Sequence, residues 1–395
     1  MLRRRATTAC VLALLLVAVG ACSSSDDKSA GPSSTAPPTT AAPAARPAYV
    51  ERGPNPVGSR TLALSDGRRL VIWYPAAKSA SSSPTEVFDI ASLLAPSMQA
   101  KIPAELRPQY KIDAHVGADP ATGGPYPVVL FSHGYAGFPE QSVDLTTHLA
   151  SWGFVVVAPD HVERSLSGLL GTAGQGVTPR DDTAVLSESL DVALADAKKA
   201  DSPLHGLLDA DEVAVTGHSA GAYAAYADAS SDKRIKAFIS YSVGLGGDSA
   251  KGKTPPPVPD VPGMVMLGTR DGIIPPASSR AVFEGMNAPK YLVEIKGAGH
   301  LVFSDICNIG KDQGGLVALT KKAGLDLPPN LLQLASDGCE KGDLDPRKAY
   351  DAINHFSVAF LRRYLGVDSS PVGLAPDTAK AFKTADITLV ADPGN

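Results

Sequence analysis

Glu212-Val213-Ala214-Val215-Thr216-Gly217-His218-Ser219-Ala220-Gly221 is the stretch that decides how this chain folds. Glu212–Thr216 has the apolar, β-branched centre of a short buried strand, and Ala220–Ala229 is a run of alanine and tyrosine suited to a helix. Between them stands a Gly-x-Ser-x-Gly turn. A serine on so tight a strand-to-helix turn has a strained backbone, and the residues two positions away must be small. Gly217 and Gly221 supply that room. The turn aims the Ser219 hydroxyl out of the carboxyl edge of the sheet. It also gathers backbone N–H groups at a helix N-terminus, where negative charge is favoured.

Working outward, strands and helices alternate from Pro127 onward. Val128–Ser132, Phe154–Ala158, Ile235–Tyr241, Gly263–Leu267 and Tyr291–Ile295 read as short apolar strands. Ser142–Trp152, Asp181–Ala200, Pro276–Met286 and the amphipathic Arg347–Leu365 read as helices. Such alternation predicts an α/β fold: a mostly parallel sheet with helices on both faces. Upstream, Arg60–Leu64 and Leu70–Tyr74 flank Ser65-Asp66-Gly67, a hairpin signal that adds antiparallel strands at one edge. Residues 78–123, rich in Ser, Ala and Pro, read as an insertion or long loop. There is no internal repeat.

A serine hydroxyl is a weak nucleophile until a base takes its proton. Only His300 and His355 follow Ser219. His300 lies in the loop Gly297-Ala298-Gly299-His300 just past a strand, where an imidazole can reach the serine; His355 sits inside the closing helix and reads as packed or surface. The orienting carboxylate should leave the end of an earlier strand, and Asp271 does so; Asp248 and Asp305 are rivals that follow no strand. Donors for a developing oxyanion are expected from the backbone N–H of Ala220 and from that of Tyr135 in His133-Gly134-Tyr135-Ala136-Gly137. The Tyr135 ring either walls an acyl pocket or merely covers its loop. Asp160, His161 and Glu163 read as a structural loop after a strand, with lining of the site as the alternative, and His115, His148 and His205 as surface or structural. No Cys or His cluster has zinc-ligand spacing.

The ends speak of export. Arg3, Arg4 and Arg5 precede the apolar run Ala9–Ala21, which is shorter than the ~20 residues a membrane span needs but fits a signal peptide. Val19-Gly20-Ala21-Cys22 resembles a bacterial lipobox in which Cys22 is lipidated; an ordinary secretory signal is the alternative. Residues 22–48 then form a Ser/Thr/Pro/Ala linker unable to bury a core. With Cys10 in the signal, only Cys307 and Cys339 are left for the folded domain, and in an exported protein they should pair. The segment they close carries two apolar helix-like runs, Leu316–Leu325 and Leu331–Leu334, and reads as a cap over 301–346 or as a staple on a surface excursion. The organisation expected is signal peptide 1–21, linker 22–48, catalytic domain 49–366 and C-terminal tail 367–395. Net charge is −5 with no basic run beyond the N-terminus, which argues against nucleic acid as a partner. The expected state is a monomer whose only tie to the membrane is the lipid.

Three stretches carry a family resemblance: Tyr126-Pro127-Val128-Val129-Leu130-Phe131-Ser132-His133-Gly134-Tyr135, Phe154–Ala158 ending in Pro159-Asp160-His161, and Gly217–Gly221. Together with Leu70-Val71-Ile72-Trp73-Tyr74-Pro75 they resemble platelet-activating-factor acetylhydrolase-like and dienelactone-hydrolase-like α/β-hydrolases. Asp271-Gly272-Ile273-Ile274-Pro275-Pro276 and Gly299-His300 are similar also to bacterial cutinase-like polyester hydrolases. The resemblance covers roughly residues 60–300. It implies an α/β-hydrolase fold and a serine esterase without metal or organic cofactor. Ser219, Asp271 and His300 would form the triad, and Tyr135 and Ala220 the oxyanion hole. Dienelactone hydrolases use cysteine as nucleophile, so that chemistry does not transfer. Compact polyester hydrolases lack a segment as long as 301–346, and the stretch 78–123 is unmatched. The rival readings are a non-catalytic ligand-binding lipoprotein on the same fold and a serine peptidase. The substrate class stays open among small-molecule, lipid and polymeric esters, and the expected location is the outer face of a bacterial membrane.

Overall fold

The computed structural model describes residues 47–246 and 254–394. The signal peptide, Cys10, Cys22, nearly all of the linker and Asp248 lie outside the described residues. The elements that matter here are β1 Val57–Ala63, β2 Arg69–Pro75, β3 Thr85–Asp89, β4 Gln109–Val116, β5 Tyr126–Ser132, α1 Val143–Ser151 and β6 Val155–Pro159. They continue with α2 Asp182–Asp196, β7 Leu208–His218, α3 Ala220–Ser231, β8 Ile235–Tyr241, β9 Gly263–Gly268, α4 Pro276–Gly285 and β10 Lys290–Ile295. The chain closes with α5 Gly315–Lys322, α6 Pro329–Leu334, α7 Arg347–Tyr364 and β11 Ile387–Asp392.

Among the described residues, the strands form one eleven-stranded sheet in the order β11-β10-β9-β8-β7-β5-β6-β2-β1-β4-β3. From β6 through β10 every neighbouring pair is parallel, whereas β2, β3 and β11 run antiparallel to the neighbours that attach them. Side chains alternate across the central strands as the pleat requires. Val128 and Leu130 face the layer of α2, α3 and α4, where Leu186, Leu190, Tyr226 and Val282 are buried. Val129 and Phe131 face the layer of α1 and α7, where Leu149, Ile353, Phe356 and Phe360 are buried. In α7 the apolar positions 349, 352, 353, 356 and 360 fall on one helical stripe, which is why this end of the chain packs as a helix.

The α/β class and the hairpin are as expected, and three readings need correction. Residues 78–123 are not a plain loop: they contribute β3 and β4, so β3, and not the hairpin, forms that edge of the sheet. The helix expected over 181–200 ends at Asp196. Residues 367–395 are not a free tail, because Ile387–Asp392 pairs antiparallel with all of β10. Ile387 and Leu389 point into the core while Thr388 and Val390 face out.

Candidate active site

Ser219 occupies the junction of β7 and α3 with φ +60° and ψ −119°, a region that side-chain-bearing residues rarely enter. The conformation is over-determined by its surroundings. A Cβ on Gly217 would come 2.1 Å from the Gly221 carbonyl oxygen, and one on Gly221 would come 1.9 Å from that of Ser132. Only glycine fits at either position. The Ser219 amide also donates to the Tyr241 carbonyl of β8 at 2.9 Å. The residue after the serine opens α3, so the amide of Ala220 belongs to the first turn of a helix whose dipole favours negative charge there.

Facing the serine is the loop after β5. Its Gly134 carbonyl accepts three hydrogen bonds: from Arg164 Nη1 at 3.0 Å, from His133 Nδ1 at 2.9 Å and from the Gly137 amide at 3.1 Å. A trans peptide holds its C=O and N–H on opposite sides. With the Gly134 carbonyl drawn inward, the Tyr135 N–H turns the other way. Arg164 is buried and also donates to Ser132 Oγ at 2.8 Å and to the His133 carbonyl. Its charge is answered by Asp182 at 3.1 Å. Burial opposes ionisation of Asp182, but His161 and Arg164 hold it well below the usual carboxylate range.

Gln141 joins this loop to the elbow. Its Oε1 accepts from the Gly134 amide at 3.0 Å, which leaves its Nε2 to donate to His218 Nδ1 at 3.1 Å. His218 therefore carries its proton on Nε2 and donates to the His300 carbonyl at 3.0 Å. Burial, with His300 close by, pushes His218 down to about 3, so it is neutral near pH 7.

His300 follows β10, and its Nδ1 lies 2.9 Å from Asp271 Oδ2 after β9. The other Asp271 oxygen accepts the amides of Ile273 and Ile274 at 2.9 and 2.8 Å. Burial raises the Asp271 carboxyl, but the bond from His300 and the Ile274 amide outweigh it and hold it below the usual range. Ser219, His300, Gly134, Tyr135, Gln141 and His218 all line one cavity of about 140 Å³.

The roof of that cavity comes from two distant parts of the chain. Ile90, Leu94, Ile102 and Leu106 descend from the segment between β3 and β4; Leu316, Leu319, Leu325 and Leu331 come from α5, α6 and their connection. Leu166 and Leu170 close one side. Cys307 and Cys339 are bonded, as expected, and enclose α5 and α6. Phe88 of β3 stacks on Phe138 beyond the loop after β5, with ring centroids 5.0 Å apart.

Other candidates fall elsewhere. His355 is buried in α7, accepting the Tyr49 amide at 3.2 Å; His148 contacts the Tyr49 carbonyl at 2.9 Å. His115 is half-buried and His205 exposed. Asp160, His161 and Glu163 form the structural loop: Asp160 binds Ser167, His161 binds Ser132 and Glu163 binds Arg68. Asp305 lies behind the site, bonded to Tyr110 at 2.9 Å and to the Asp144 amide at 2.9 Å. Sequence reading missed Gln141 and Arg164, which are single polar residues in connecting segments. The run Asp160-His161-Val162-Glu163-Arg164, dense in charge yet following a buried strand, was the one available signal.

Residues 85–261 match the chlorophyllase family, a stretch that includes Tyr135 and Ser219 but ends before Asp271 and His300. The chain is 24% identical over 316 residues to platelet-activating factor acetylhydrolase of the guinea pig, Cavia porcellus, a match covering 71% of this chain and 66% of that protein, just under two thirds of its length. It is 26% identical over 270 residues to chlorophyllase-2 of Arabidopsis thaliana, covering 57% of this chain and 81% of that one. Its fold is similar to that of a ferulic acid esterase from Streptomyces cinnamoneus, with a TM-score of 0.57 at 20% identity over 87% of this chain and 98% of the other. The chain has the α/β-hydrolase fold.

Proposed function

We propose that the protein is a carboxylic-ester hydrolase that works through an acyl-enzyme on Ser219, with His300 as general base and Asp271 as its orienting carboxylate. The observation that carries this reading is the pairing of a strained serine at a strand-to-helix turn with a histidine on the same cavity, itself bonded to a buried aspartate. His300 Nε2 takes the Ser219 proton as Oγ attacks the ester carbonyl carbon. The oxyanion forms against the amides of Ala220 and Tyr135. Collapse breaks the bond to the alcohol, which leaves with the proton from His300. Water then attacks the acyl carbon, passing its proton to His300, and the acid departs as Ser219 regains its hydrogen. Asp271 keeps the Nδ1–H tautomer and stabilises the imidazolium without taking the proton. The aliphatic roof suits an ester with an uncharged hydrocarbon arm. Removing a triad nucleophile costs several powers of ten in rate, so Ser219→Ala should abolish p-nitrophenyl ester turnover and fluorophosphonate labelling. Wild-type turnover by that variant would refute the assignment.

The protein is exported and held at the membrane by lipid on Cys22 in this reading. Supporting it are the short apolar run before a cysteine flanked by small residues, and the finding that no helix among the described residues is long and apolar enough to cross a membrane. Cys22→Ser should move the protein from the membrane fraction to the soluble one in a bacterial host. A mature N-terminus without an acyl chain, seen by mass spectrometry, counts against it.

A further inference from the structure

We propose that Asp337 is a positioning residue for the His300–Asp271 pair, its carboxylate tying together the two loops that carry them. The inference rests on the hydrolase reading above and adds to it a residue that no motif contains. Asp337 Oδ1 accepts the backbone N–H of His300 at 2.6 Å, and Oδ2 accepts the N–H of Gly272 at 3.1 Å. Gly272 is the residue directly after Asp271. One carboxylate thus spans from the loop after β9 to the loop after β10, gripping each within one residue of its catalytic side chain.

The fit is close on both sides. A Cβ on Gly272 would lie 2.4 Å from Asp337 Oδ2. A Cβ on Gly299 would lie 2.8 Å from Asp337 Oδ1 and 2.5 Å from the Cα of Gly338. Gly338 itself has φ +91°, so the chain turns sharply just past the carboxylate. The Leu301 amide adds a bond to the Asp337 carbonyl at 3.0 Å. His300 is therefore held by its N–H from Asp337, by its carbonyl from His218 and by its ring from Asp271.

Two oxygens serving two N–H donors is a task for a carboxylate. An asparagine has one acceptor oxygen, and its NH₂ would face the second donor. Bonds to a charged acceptor are also the stronger kind. Asp337 reaches its place because Cys339, two residues on, is bonded to Cys307 in the turn that follows His300. The disulfide thus returns the end of the roof segment to the loop it left.

The role is in geometry, so kcat should carry the effect. A misplacement of about 1 Å costs roughly 10²-fold in rate. Asp337→Asn keeps the shape of the side chain and removes one acceptor and the charge. It should lower kcat on p-nitrophenyl butyrate about ten- to hundredfold, with KM within about twofold and the melting temperature little changed. Against Asp271→Asn, the loss should be much smaller than in the wild-type background, because the two residues serve the same imidazole. The Cys307→Ser/Cys339→Ser protein should show a similar kcat loss, with little added by Asp337→Asn. Wild-type kcat for Asp337→Asn overturns the proposal. So does a loss of equal size with and without Asp271, or a lowered melting temperature with unchanged turnover per fluorophosphonate-labelled site. Ser219→Ala, run alongside, separates the two levels. If it is inactive while Asp337→Asn is fully active, only the role of Asp337 falls; if it turns over normally, the hydrolase reading falls and this inference with it.

Discussion

The floor and the roof of the cavity are held by different forces. On the floor, at the ends of β5, β7, β9 and β10, nearly every contact described above is a directed hydrogen bond: Arg164 and His133 to the Gly134 carbonyl, Gln141 to His218, His218 to His300, His300 to Asp271. On the roof, aliphatic side chains from 90–106 and 316–334 meet over the serine, and burial supplies the cohesion. Fully burying such a side chain contributes ~1.5–3 kcal/mol whatever its exact direction. A polar group that loses its partner in the interior costs ~1–3 kcal/mol and has no second arrangement to fall into. The floor is therefore specific about angles and intolerant of substitution. The roof is specific only about volume, which suits a surface that meets the variable part of a substrate.

The sharpest way to break that contrast is to change one floor residue conservatively. Arg164→Lys keeps a positive charge near Asp182 but loses the planar fork that reaches Ser132, His133 and Gly134 together. With the Gly134 carbonyl released, the Tyr135 N–H loses its aim, and kcat should fall roughly 10²–10³-fold, the size seen when an oxyanion donor is lost. Turnover within a factor of three of wild type would show that the floor is more forgiving than its bonding suggests.

Next in size is the disulfide. The bonded cysteines are separated by 32 positions, a loop for which chain entropy gives ~3–4 kcal/mol. Reduction under native conditions should lower the melting temperature. If the roof is held by burial and only gathered by the bridge, the ratio of hexanoate to acetate hydrolysis should shift as well. A shift in melting temperature alone would make the bridge a staple with no part in selectivity.

A roof substitution should be milder and selective. Leu331→Trp adds bulk where the cavity is lined from α6. It should cut hydrolysis of long-chain p-nitrophenyl esters by about tenfold relative to the acetate, in the range one or a few methylenes are worth in an apolar pocket. Equal losses on acetate and long esters would place Leu331 among the floor-like, geometry-setting residues.

The smallest effect belongs to Asp305, behind the site. Burial, with Asp144 nearby, pushes Asp305 up from 3.8 to about 7. A carboxyl raised on folding binds its proton more tightly in the native state. Its contribution is fully present below about pH 4 and is lost as pH rises toward 7. Asp305→Asn removes that slope, so the melting temperature of the variant relative to wild type should rise between pH 5 and pH 8. A constant difference across that range would show that Asp305 is ionised throughout.

How much of this was legible in the sequence follows the same division. The elbow could be read because steric demand forces glycine at 217 and 221, and such demand leaves a local pattern. The pairing of His300 with Asp271 could be read because each follows an apolar strand that is buried on both faces. The edge strands were harder. β3 and β4 are half exposed, with burial falling on few positions, so Thr85–Asp89 and Gln109–Val116 do not stand out from the Ser/Pro-rich stretch around them. β11 has only Ile387 and Leu389 facing in. Gln141 and Asp337 could not be read at all, and Arg164 only as one of a charge-dense run after a buried strand. Each owes its role to partners on other elements, and a glutamine or aspartate in a loop looks the same whether it faces water or a peptide amide. The roof was readable as two apolar runs between cysteines, but its other half, Ile90 to Leu106, gave no sign that it would meet them.

One contact far from the cavity fixes where the described chain joins the domain. Tyr49 packs edge-on against Trp152, with centroids 5.0 Å apart, and under Arg362 at the end of α7. Trp152 stands just before β6, at the edge of the sheet where the parallel strands begin, whereas Ser219 and His300 stand where such strands finish. The chain thus enters the domain at its rear. Tyr49 and the serine are thus docked at opposite ends of the same parallel strands, so a change at one is separated from the other by the full length of the sheet.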